Sequence, residues 1–399
     1  MVVFATTPFF VFNQVGGDEA MAGVVGAIQM AAYAVSCLLS ARFVSRARNG
    51  LHWALFGVSL FILLNCMMPL SPRFVWCGAL SFFSFAALGL VWPALHSWIG
   101  AEPVVTRRAR RMTWFNIAAG LGFALSPLIG GPLYDRDYRL PFLALAFIGV
   151  TIMLVIKSLP RETDHFRRAG GDQAGDQELG RPFAANKTTL LVAWCALFMA
   201  NVLVGATRSV YPKRITDLVG SGQLSVFLER TPTAWTSHGP ATTFSWLAST
   251  LWITSALCFL VMGRTHRWHN QTGFLLWLQV LAGGAAWTLG YAHDLGVMIV
   301  CFAILGGNFG AAFFVAMFHS LANHSDKHGR AAITEGVLGA GCFAGSIGFG
   351  YAARQFGVAA PFLFAPGFIG AALALQLLLL RRRRTNTSCT TLETGPVRP

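Results

Sequence analysis

The sequence predicts an all-α polytopic membrane protein with 12 transmembrane helices in two six-helix bundles. Of its 399 residues, 55% are hydrophobic and 12% are charged, about half of the ~25% charge that is typical of a soluble domain. The apolar residues form runs that are long enough to cross a bilayer, and the two halves of the chain share an internal repeat. The composition excludes a disordered, collagen-like or disulfide-scaffold protein.

Eleven apolar runs approach the ~20 residues that a helix needs to cross a ~30 Å hydrocarbon core. They comprise residues 21–41, 51–70, 74–98, 112–134, 140–159, 188–210, 242–262, 272–292, 295–318, 331–353 and 359–380. A twelfth apolar segment, residues 1–15, rises only about 22 Å as a helix. It has neither the basic start nor the cleavage site of a signal peptide. We therefore expect a first helix that is truncated at its cytoplasmic end, as a start codon placed too late would produce.

The basic residues predict the orientation in the membrane. In the connections between spans, 22 of the 30 Lys and Arg residues fall on one side, and the positive-inside rule makes that side cytoplasmic. Both termini then lie in the cytoplasm, which requires an even number of crossings and a short first helix that crosses. The protein is expected in the cell (inner or plasma) membrane. Because the net charge of +14 is carried beside the spans, it indicates anchoring in the lipid bilayer and no nucleic-acid binding.

A polar segment divides the chain into two groups of six spans. The predicted parts are an N-terminal bundle, a cytoplasmic linker, a C-terminal bundle and a cytoplasmic basic tail, at residues 1–159, 160–187, 188–380 and 381–399. The halves repeat: PFLALAFIG from Pro141 matches PFLFAPGFIG from Pro361 at an offset of 220, and Gly120 matches Gly339 at an offset of 219. A parallel repeat of two six-helix bundles is typical of secondary carriers, whose substrate site lies between the halves.

One segment of the fifth span resembles a motif of the major facilitator superfamily. The family pattern GxxxGPxxGG is approximated by Gly122, Ser126, Pro127, Gly130 and Gly131. Small residues allow helices to approach closely, and a proline bends the span where neighbours can satisfy the freed carbonyl group. The resemblance covers nearly the whole chain and implies that family's fold of six plus six spans with a central loop and both termini inside.

The loop between the second and third spans resembles the family motif GxxxDRxGRR. Arg42 and Arg46 keep its basic character, whereas Ser45 and Arg48 replace its acidic residue and its second glycine. The resemblance implies a gating role for Arg42 and Arg46. The family's arginine motif of the fourth helix is absent from residues 74–98, which argues against a conventional proton-driven drug exporter.

Polar residues within spans are costly and are therefore candidate site residues. The resemblance places the substrate cavity among the first, fourth, seventh and tenth helices. The candidate substrate-binding residues on these helices are Asn13, Trp92, His96, Asn201, Arg208 and Asn308. The planar guanidinium of Arg208 suits a carboxylate or a phosphate, or else the side chain reaches the outer headgroups and anchors its helix. Asn201 and Asn308 suit either a solute or a hydrogen bond between helices.

Glu335 is the only carboxylate inside the predicted spans. It lies about one and a half turns past Arg330, a basic residue at the expected inner gate. Two roles are open for this pair of residues. Either Glu335 forms a gating ion pair with a basic residue such as Arg330, or it takes up a proton and couples transport to a gradient.

We predict a secondary active transporter that moves a small organic solute by alternating access, either as a uniporter or coupled to a proton or sodium gradient. The alternatives are a receptor or assembly factor with a transporter fold, and a membrane metal enzyme that uses His319, His324 and His328. The sequence lacks the P-loop pattern GxxxxGK followed by Ser or Thr, and its eight cysteines form no CxxC pair. We therefore expect that the protein is no enzyme and has no cofactor and no metal. We also expect a monomer.

Overall fold

The computed structural model describes residues 2–44, 51–70, 73–100, 105–158, 187–225, 239–265, 268, 271–321 and 327–393. Within these ranges the regular structure is helical, with one isolated bridge between Ser225 and Asp294. The helices of the N-terminal half are α1 (Val2–Asn13), α2 (Glu19–Val44), α3 (Leu51–Met67), α4 (Phe74–Gly100), α5 (Val105–Arg136) and α6 (Leu140–Ser158). Those of the C-terminal half are α7 (Lys187–Ser209), α8 (Tyr211–Gly220), α9 (Pro240–Arg264), α10 (Gly273–Tyr291), α11 (Leu295–Leu321), α12 (Lys327–Phe356) and α13 (Ala360–Glu393). The prediction of an all-α protein is confirmed.

The surface of the bundle is that of a membrane protein. Among the described residues, 11 helical segments are long and apolar enough to cross a membrane. Large apolar side chains cover the outside, and Phe147 (78% exposed) and Trp277 (70% exposed) are examples. Such exposure is unfavourable in water but suits contact with lipid chains. The predicted polytopic membrane fold is therefore confirmed.

The first helix, α1, has 12 residues and is shorter than the membrane spans. It packs beside the predicted outer part of α5, where a Cβ atom at Gly130 would lie 2.7 Å from the Val2 carbonyl oxygen. The Phe9 ring contacts the Tyr134 ring near the end of α5, with 5.9 Å between the centroids. The short first helix therefore lines the outer part of the bundle and not its full depth.

Two segments depart from the predicted spans. The span predicted at 188–210 continues after a break as α8, and Tyr211 and Ile215 of this helix are fully buried. Pro212 lacks the N–H group that would continue α7, so the helix restarts instead of extending. At the other end of the half, α13 extends to Glu393, beyond the predicted end of the span at 380.

The two halves meet along two helix pairs, α2 with α12 and α5 with α9. Small residues allow the close approach in both pairs. A Cβ atom at Gly23 would lie 2.9 Å from the Gly350 Cα, and one at Gly120 would lie 2.9 Å from the Ala256 Cβ. The two pairs hold the halves side by side, and the candidate site lies between the halves.

Candidate functional site

Arg208 lies near the end of α7 and is the central residue of the candidate site. Its side chain is buried, with 6% of the residue exposed, and its guanidinium carbon lies 3.2 Å from the Phe4 ring centroid and 5.5 Å from that of Phe85. Nη2 donates a hydrogen bond to Gln29 Oε1, and Gln29 Nε2 donates to Ser81 Oγ at 3.2 Å. Nε and Nη1 are buried without a hydrogen-bond partner among the described residues. The C-terminal half thus extends a cation into the N-terminal half, with two nitrogen atoms free to donate.

The depth of Arg208 bears on its two interpretations. Gln29, its hydrogen-bond partner, lies ten residues after Glu19 at the start of α2, which corresponds to about 15 Å of helix. The guanidinium therefore lies about 15 Å along α2 from the predicted outer end of that helix. A side chain that anchors to headgroups would end at the surface instead. The Arg208 side chain instead ends in the interior, against Phe4 and Gln29.

Two cavities meet at Arg208. The larger has a volume of ≈ 30 Å³, and its aromatic lining residues are Phe4, Phe123, Phe244, Trp252 and Phe302. The smaller has a volume of ≈ 10 Å³, and its polar lining residues besides Arg208 are Thr7, Gln29 and Ser209. Residues from both halves line each cavity, so a solute bound here would contact both halves. Of the predicted fourth helix, Phe85 lies beside Arg208. Helices α5 and α9 also supply lining residues, although the family resemblance did not assign them to the cavity.

A row of aromatic rings crosses from one half to the other and includes Phe123 and Trp252 of the larger cavity. Trp92 stacks on Phe123 with 6.1 Å between centroids, Phe123 stacks on Trp252 at 4.5 Å, and Trp252 meets the Phe309 ring edge-on at 5.2 Å. Phe123 lies 13 residues before the end of α5, or about 20 Å, which places it on the predicted cytoplasmic side of Arg208. Trp92, a predicted site residue, therefore lies one ring away from the cavity.

The remaining candidate substrate-binding residues lie in different environments. Asn201 is buried and links α7 to α12, because its Oδ1 accepts a hydrogen bond from Cys342 Sγ at 3.4 Å. Asn308 is buried on α11, and its Oδ1 has no hydrogen-bond partner among the described residues. Asn13 is exposed at the end of α1. His96 belongs to α4, but its side chain lies outside the described part of the structure.

Glu335 lies where α12 packs against α2. Its side chain is buried at 4% exposure, and the Tyr33 hydroxyl group of α2 donates a hydrogen bond to Oε2 at 2.8 Å. Arg330, the predicted partner, is half-buried earlier on α12. The pair of Glu335 and Tyr33 joins the two halves within the membrane. Tyr33 was not predicted, because it lies outside the helices that the family resemblance assigns to the cavity. A polar hydroxyl group within an apolar span could have marked it as a candidate.

The motif of the fifth span lies where α5 approaches α1 and α9. Ser126 and Pro127 line the larger cavity. A Cβ atom at Gly130 would lie 2.7 Å from a carbonyl oxygen of α1, and one at Gly131 would lie 2.6 Å from a carbonyl oxygen of α9. A Cβ atom at Gly122 would meet no atom within 4 Å. The expectation of close helix packing therefore does not hold for Gly122, because this position faces open space.

The basic loop and the histidine cluster can be placed only in part. Arg46 and His324 lie outside the described residues, and the side chains of Arg42 and His328 are not described either. His319 is buried on α11, with its ring 5.6 Å from that of Phe318. Within the described ranges, no group of three or more His, Cys, Asp or Glu side chains could hold a metal ion.

Polar contacts join the predicted outer ends of the halves. Asp135, near the end of α5, accepts hydrogen bonds from Ala241 N at 3.3 Å, Thr242 N at 2.8 Å and Thr242 Oγ1 at 2.5 Å, all in the first turn of α9. The carboxylate caps this helix and interacts favourably with its dipole. A second, more exposed contact is the ion pair of Arg354 Nε with Asp18 Oδ2 at 3.2 Å. Both contacts hold the two halves together at their predicted outer ends.

The substitution Asp135→Asn is expected to weaken this outer closure by about 1 kcal/mol, because it removes the charge that faces the dipole of α9. Hydrogen exchange of the amides in the first turn of α9 should then rise about fivefold in purified protein. Asp137→Asn is the matched control, since Asp137 Oδ1 accepts from Arg139 N at 2.8 Å within its own half. Equal exchange in the two variants would show that Asp135 does not stabilise the contact.

Apolar spanning helices, two repeated halves and a buried cavity between the halves define a membrane transporter. Residues 1–228 match the Major Facilitator Superfamily, and the chain belongs to this family. The resemblance drawn from the fifth-span motif is thereby confirmed. No curated protein matches the sequence significantly.

Solved transporter structures share this fold. A bacterial homologue of the human lysosomal transporter Spinster, in an inward-facing and occupied conformation, superposes with a TM-score of 0.69 at 15% identity, over 95% of this chain and 92% of that chain. A POT family transporter in complex with a thioalcohol-conjugated peptide has a TM-score of 0.69 at 16% identity, over 96% and 93% of the two chains. The nucleoside transporter NupG has a TM-score of 0.64 at 13% identity, over 95% and 98%. At these identities the similarity establishes the fold alone.

Proposed function

We propose that this chain is a secondary transporter that carries a small organic anion across the membrane by alternating access. The observation that carries the proposal is Arg208, a buried cation with two unpartnered nitrogen atoms at the point where two cavities meet. A buried charge without a counter-ion is unfavourable, and an ionisable group inside a membrane bundle usually marks a substrate or ion pathway. A carboxylate or phosphate group supplies both the missing charge and the missing acceptors.

The arrangement of the halves supports alternating access. Arg208 belongs to the C-terminal half, whereas its contacts Phe4 and Gln29 belong to the N-terminal half. An anion bound to Arg208 therefore responds to any movement of one half against the other. The packing of α2 on α12 and of α5 on α9 provides the surfaces along which such a movement takes place.

The proposal includes a monomer in the cell membrane, with both termini in the cytoplasm. The orientation is supported by the 22 of 30 basic residues that fall on one predicted side. The monomer is supported by the cavity itself, because both halves of a single chain supply its lining.

Solute flux in proteoliposomes tests the proposed function. Purified full-length protein is reconstituted into liposomes, which are loaded with a panel of monocarboxylates, phosphate esters, sugars and amines. The flux of each solute is measured by mass spectrometry. The expected result is saturable flux of anions, with little flux of sugars or amines. An absence of flux for the whole panel, together with a tightly bound protein partner, would favour a receptor or assembly factor instead.

Proton coupling through Glu335 is a finer part of the proposal. Its carboxyl group is buried at the contact of α2 with α12 and is bonded to Tyr33 of the other half. Gain or loss of a proton changes the charge at this contact and therefore the relative stability of the states that keep or break it. A proton site between the halves can thus couple a gradient to their movement.

The substitution Glu335→Gln is expected to abolish solute accumulation driven by a pH gradient while preserving solute exchange without a gradient. Glutamine keeps an acceptor for the Tyr33 hydroxyl group but cannot take up a proton. Accumulation and counterflow in the same proteoliposomes measure the two activities. Glu19→Gln is the control, because Glu19 lies in the first turn of α2, 14 residues or about 21 Å of helix before Tyr33. Gradient-driven accumulation at the wild-type level in Glu335→Gln would remove Glu335 from the coupling mechanism.

A further inference from the structure

We propose that the transported anion is a monocarboxylate with a flat apolar body, such as an aromatic acid. The inference rests on the proposed function and specifies its substrate class. Three properties of the cavities at Arg208 lead to it: their charge, their free hydrogen-bond donors and their aromatic lining.

The charge of the site selects a monoanion. Among the described residues that line the two cavities, Arg208 is the one charged side chain. A monocarboxylate neutralises this charge. A dianion would leave an excess negative charge in apolar surroundings, which weakens its binding. Zwitterions and amines would also bind weakly, because no carboxylate among these lining residues pairs with their ammonium group.

The free donors are concentrated at one point. Arg208 Nε and Nη1 have no hydrogen-bond partner among the described residues. The two hydroxyl groups of the larger cavity are engaged by their own helices, because Ser126 Oγ donates to the Phe123 carbonyl oxygen at 3.3 Å and Thr207 Oγ1 donates to that of Leu203 at 3.0 Å. A sugar would bury several hydroxyl groups without partners in such a cavity. A solute with one polar group and an otherwise apolar surface avoids this cost.

The aromatic lining selects a flat body. Phe123 and Trp252 stack across the halves with their centroids 4.5 Å apart and an angle of 22° between the ring planes. A planar ring placed between these side chains keeps a stacking partner on each face, whereas a bulky aliphatic group does not. The cavity of ≈ 30 Å³ is smaller than an aromatic acid, so Phe123 and Trp252 must separate to admit it. Because the two residues belong to different halves, loading of the ring is tied to the movement of the halves.

The test compares simple probes for their effect on the thermal unfolding of the purified full-length protein. The probes are benzoate, cyclohexanecarboxylate, acetate, benzamide and phthalate at equal concentrations. Because a ligand that binds only the folded state stabilises it, benzoate is expected to raise the Tm by about 2–4 °C. Acetate, benzamide and phthalate are expected to give less than half of this shift, and cyclohexanecarboxylate an intermediate one.

Two variants separate the charge from the aromatic lining. Arg208→Gln is expected to remove the benzoate shift. Trp252→Leu is expected to remove the preference for benzoate over cyclohexanecarboxylate while anion binding persists, and it keeps the test decisive if Arg208→Gln does not fold. Trp277→Leu is the matched control, because Trp277 faces the lipid at 70% exposure. Its probe preference should equal that of the wild type.

The outcomes distinguish this inference from the proposed function. A shift by acetate, benzamide or phthalate equal to that of benzoate would overturn the substrate class, and flux of another anion in proteoliposomes would leave the transport proposal standing. A benzoate shift that depends on Arg208, without flux of any solute, would support the binding site and overturn transport. An unchanged preference for benzoate in Trp252→Leu would overturn the role of the aromatic lining.

Discussion

Replacing Arg208 with glutamine is expected to lower anion uptake in proteoliposomes by about 30-fold or more. Removal of one partner from a buried, hydrogen-bonded charge pair costs about 2–5 kcal/mol, and about 1.4 kcal/mol corresponds to a factor of ten in affinity. Glutamine is shorter than arginine, and it lacks the charge, the Nη2 donor that bonds Gln29 and the free Nε and Nη1 donors. Initial uptake rates over a range of solute concentrations measure the effect.

The same substitution is expected to leave the free protein folded and as stable as the wild type, or slightly more stable. A buried charge without a counter-ion is unfavourable in the absence of solute, and the neutral amide removes this cost. Loss of the contact with the Phe4 ring opposes the gain. A Tm at or above that of the wild type, together with lost uptake, therefore identifies a binding defect and not a folding defect.

Two further variants test whether uptake depends on the charge, the guanidinium geometry or the surface charge. Arg208→Lys keeps the charge but replaces the planar group with a point donor, so partial uptake is expected. Arg264→Gln removes an exposed cation at the end of α9 and should leave uptake unchanged. Uptake by Arg208→Gln at the wild-type rate would contradict the anion site and would return Arg208 to a purely structural role.

The helices could be predicted from the sequence because the membrane restricts the choice. Backbone polar groups have no water to bond in the hydrocarbon core, so long apolar runs can only be helices there. The span predicted at 272–292 corresponds to α10 (Gly273–Tyr291) within one residue at each end. The buried helix α8 could not be predicted in this way, because its ten residues are too few to span and its burial depends on packing against α9 and α1.

The site could be predicted only in part for a related reason. A cation within an apolar run is rare, so Arg208 stands out in the sequence. Its partner Gln29 is 179 residues away, and Tyr33 is 302 residues from Glu335, so these contacts depend on how α2 packs against the other half. Aromatic residues make up 13% of the chain, and no sequence signal separates Phe123 at the cavity from the many rings that face lipid.

Gly131→Ala is expected to impair both stability and transport, whereas Gly122→Ala in the same motif is expected to preserve both. A Cβ atom at Gly131 would lie 2.6 Å from the Ala241 carbonyl oxygen and would overlap the Ser245 hydroxyl group. The backbone of α9 can yield only by moving away from α5, and overpacking of this kind costs about 1–3 kcal/mol. A Cβ atom at Gly122 would meet no atom within 4 Å, and alanine is a better helix former than glycine by about 1 kcal/mol.

The effect of Gly131→Ala should fall on the contact between the halves, because α5 and α9 belong to different halves. Gly131 lies about one turn before Asp135, so the added methyl group opposes the predicted outer closure that a transport cycle must pass through. Thermal unfolding and uptake rates of both alanine variants measure the two effects. Adding Ser245→Gly to Gly131→Ala should restore part of the stability and part of the uptake rate. The second substitution removes the clash with the Ser245 side chain but leaves the clash with the Ala241 carbonyl oxygen. Identical Tm values and uptake rates for the two alanine variants would contradict a close crossing of α5 and α9 at Gly131.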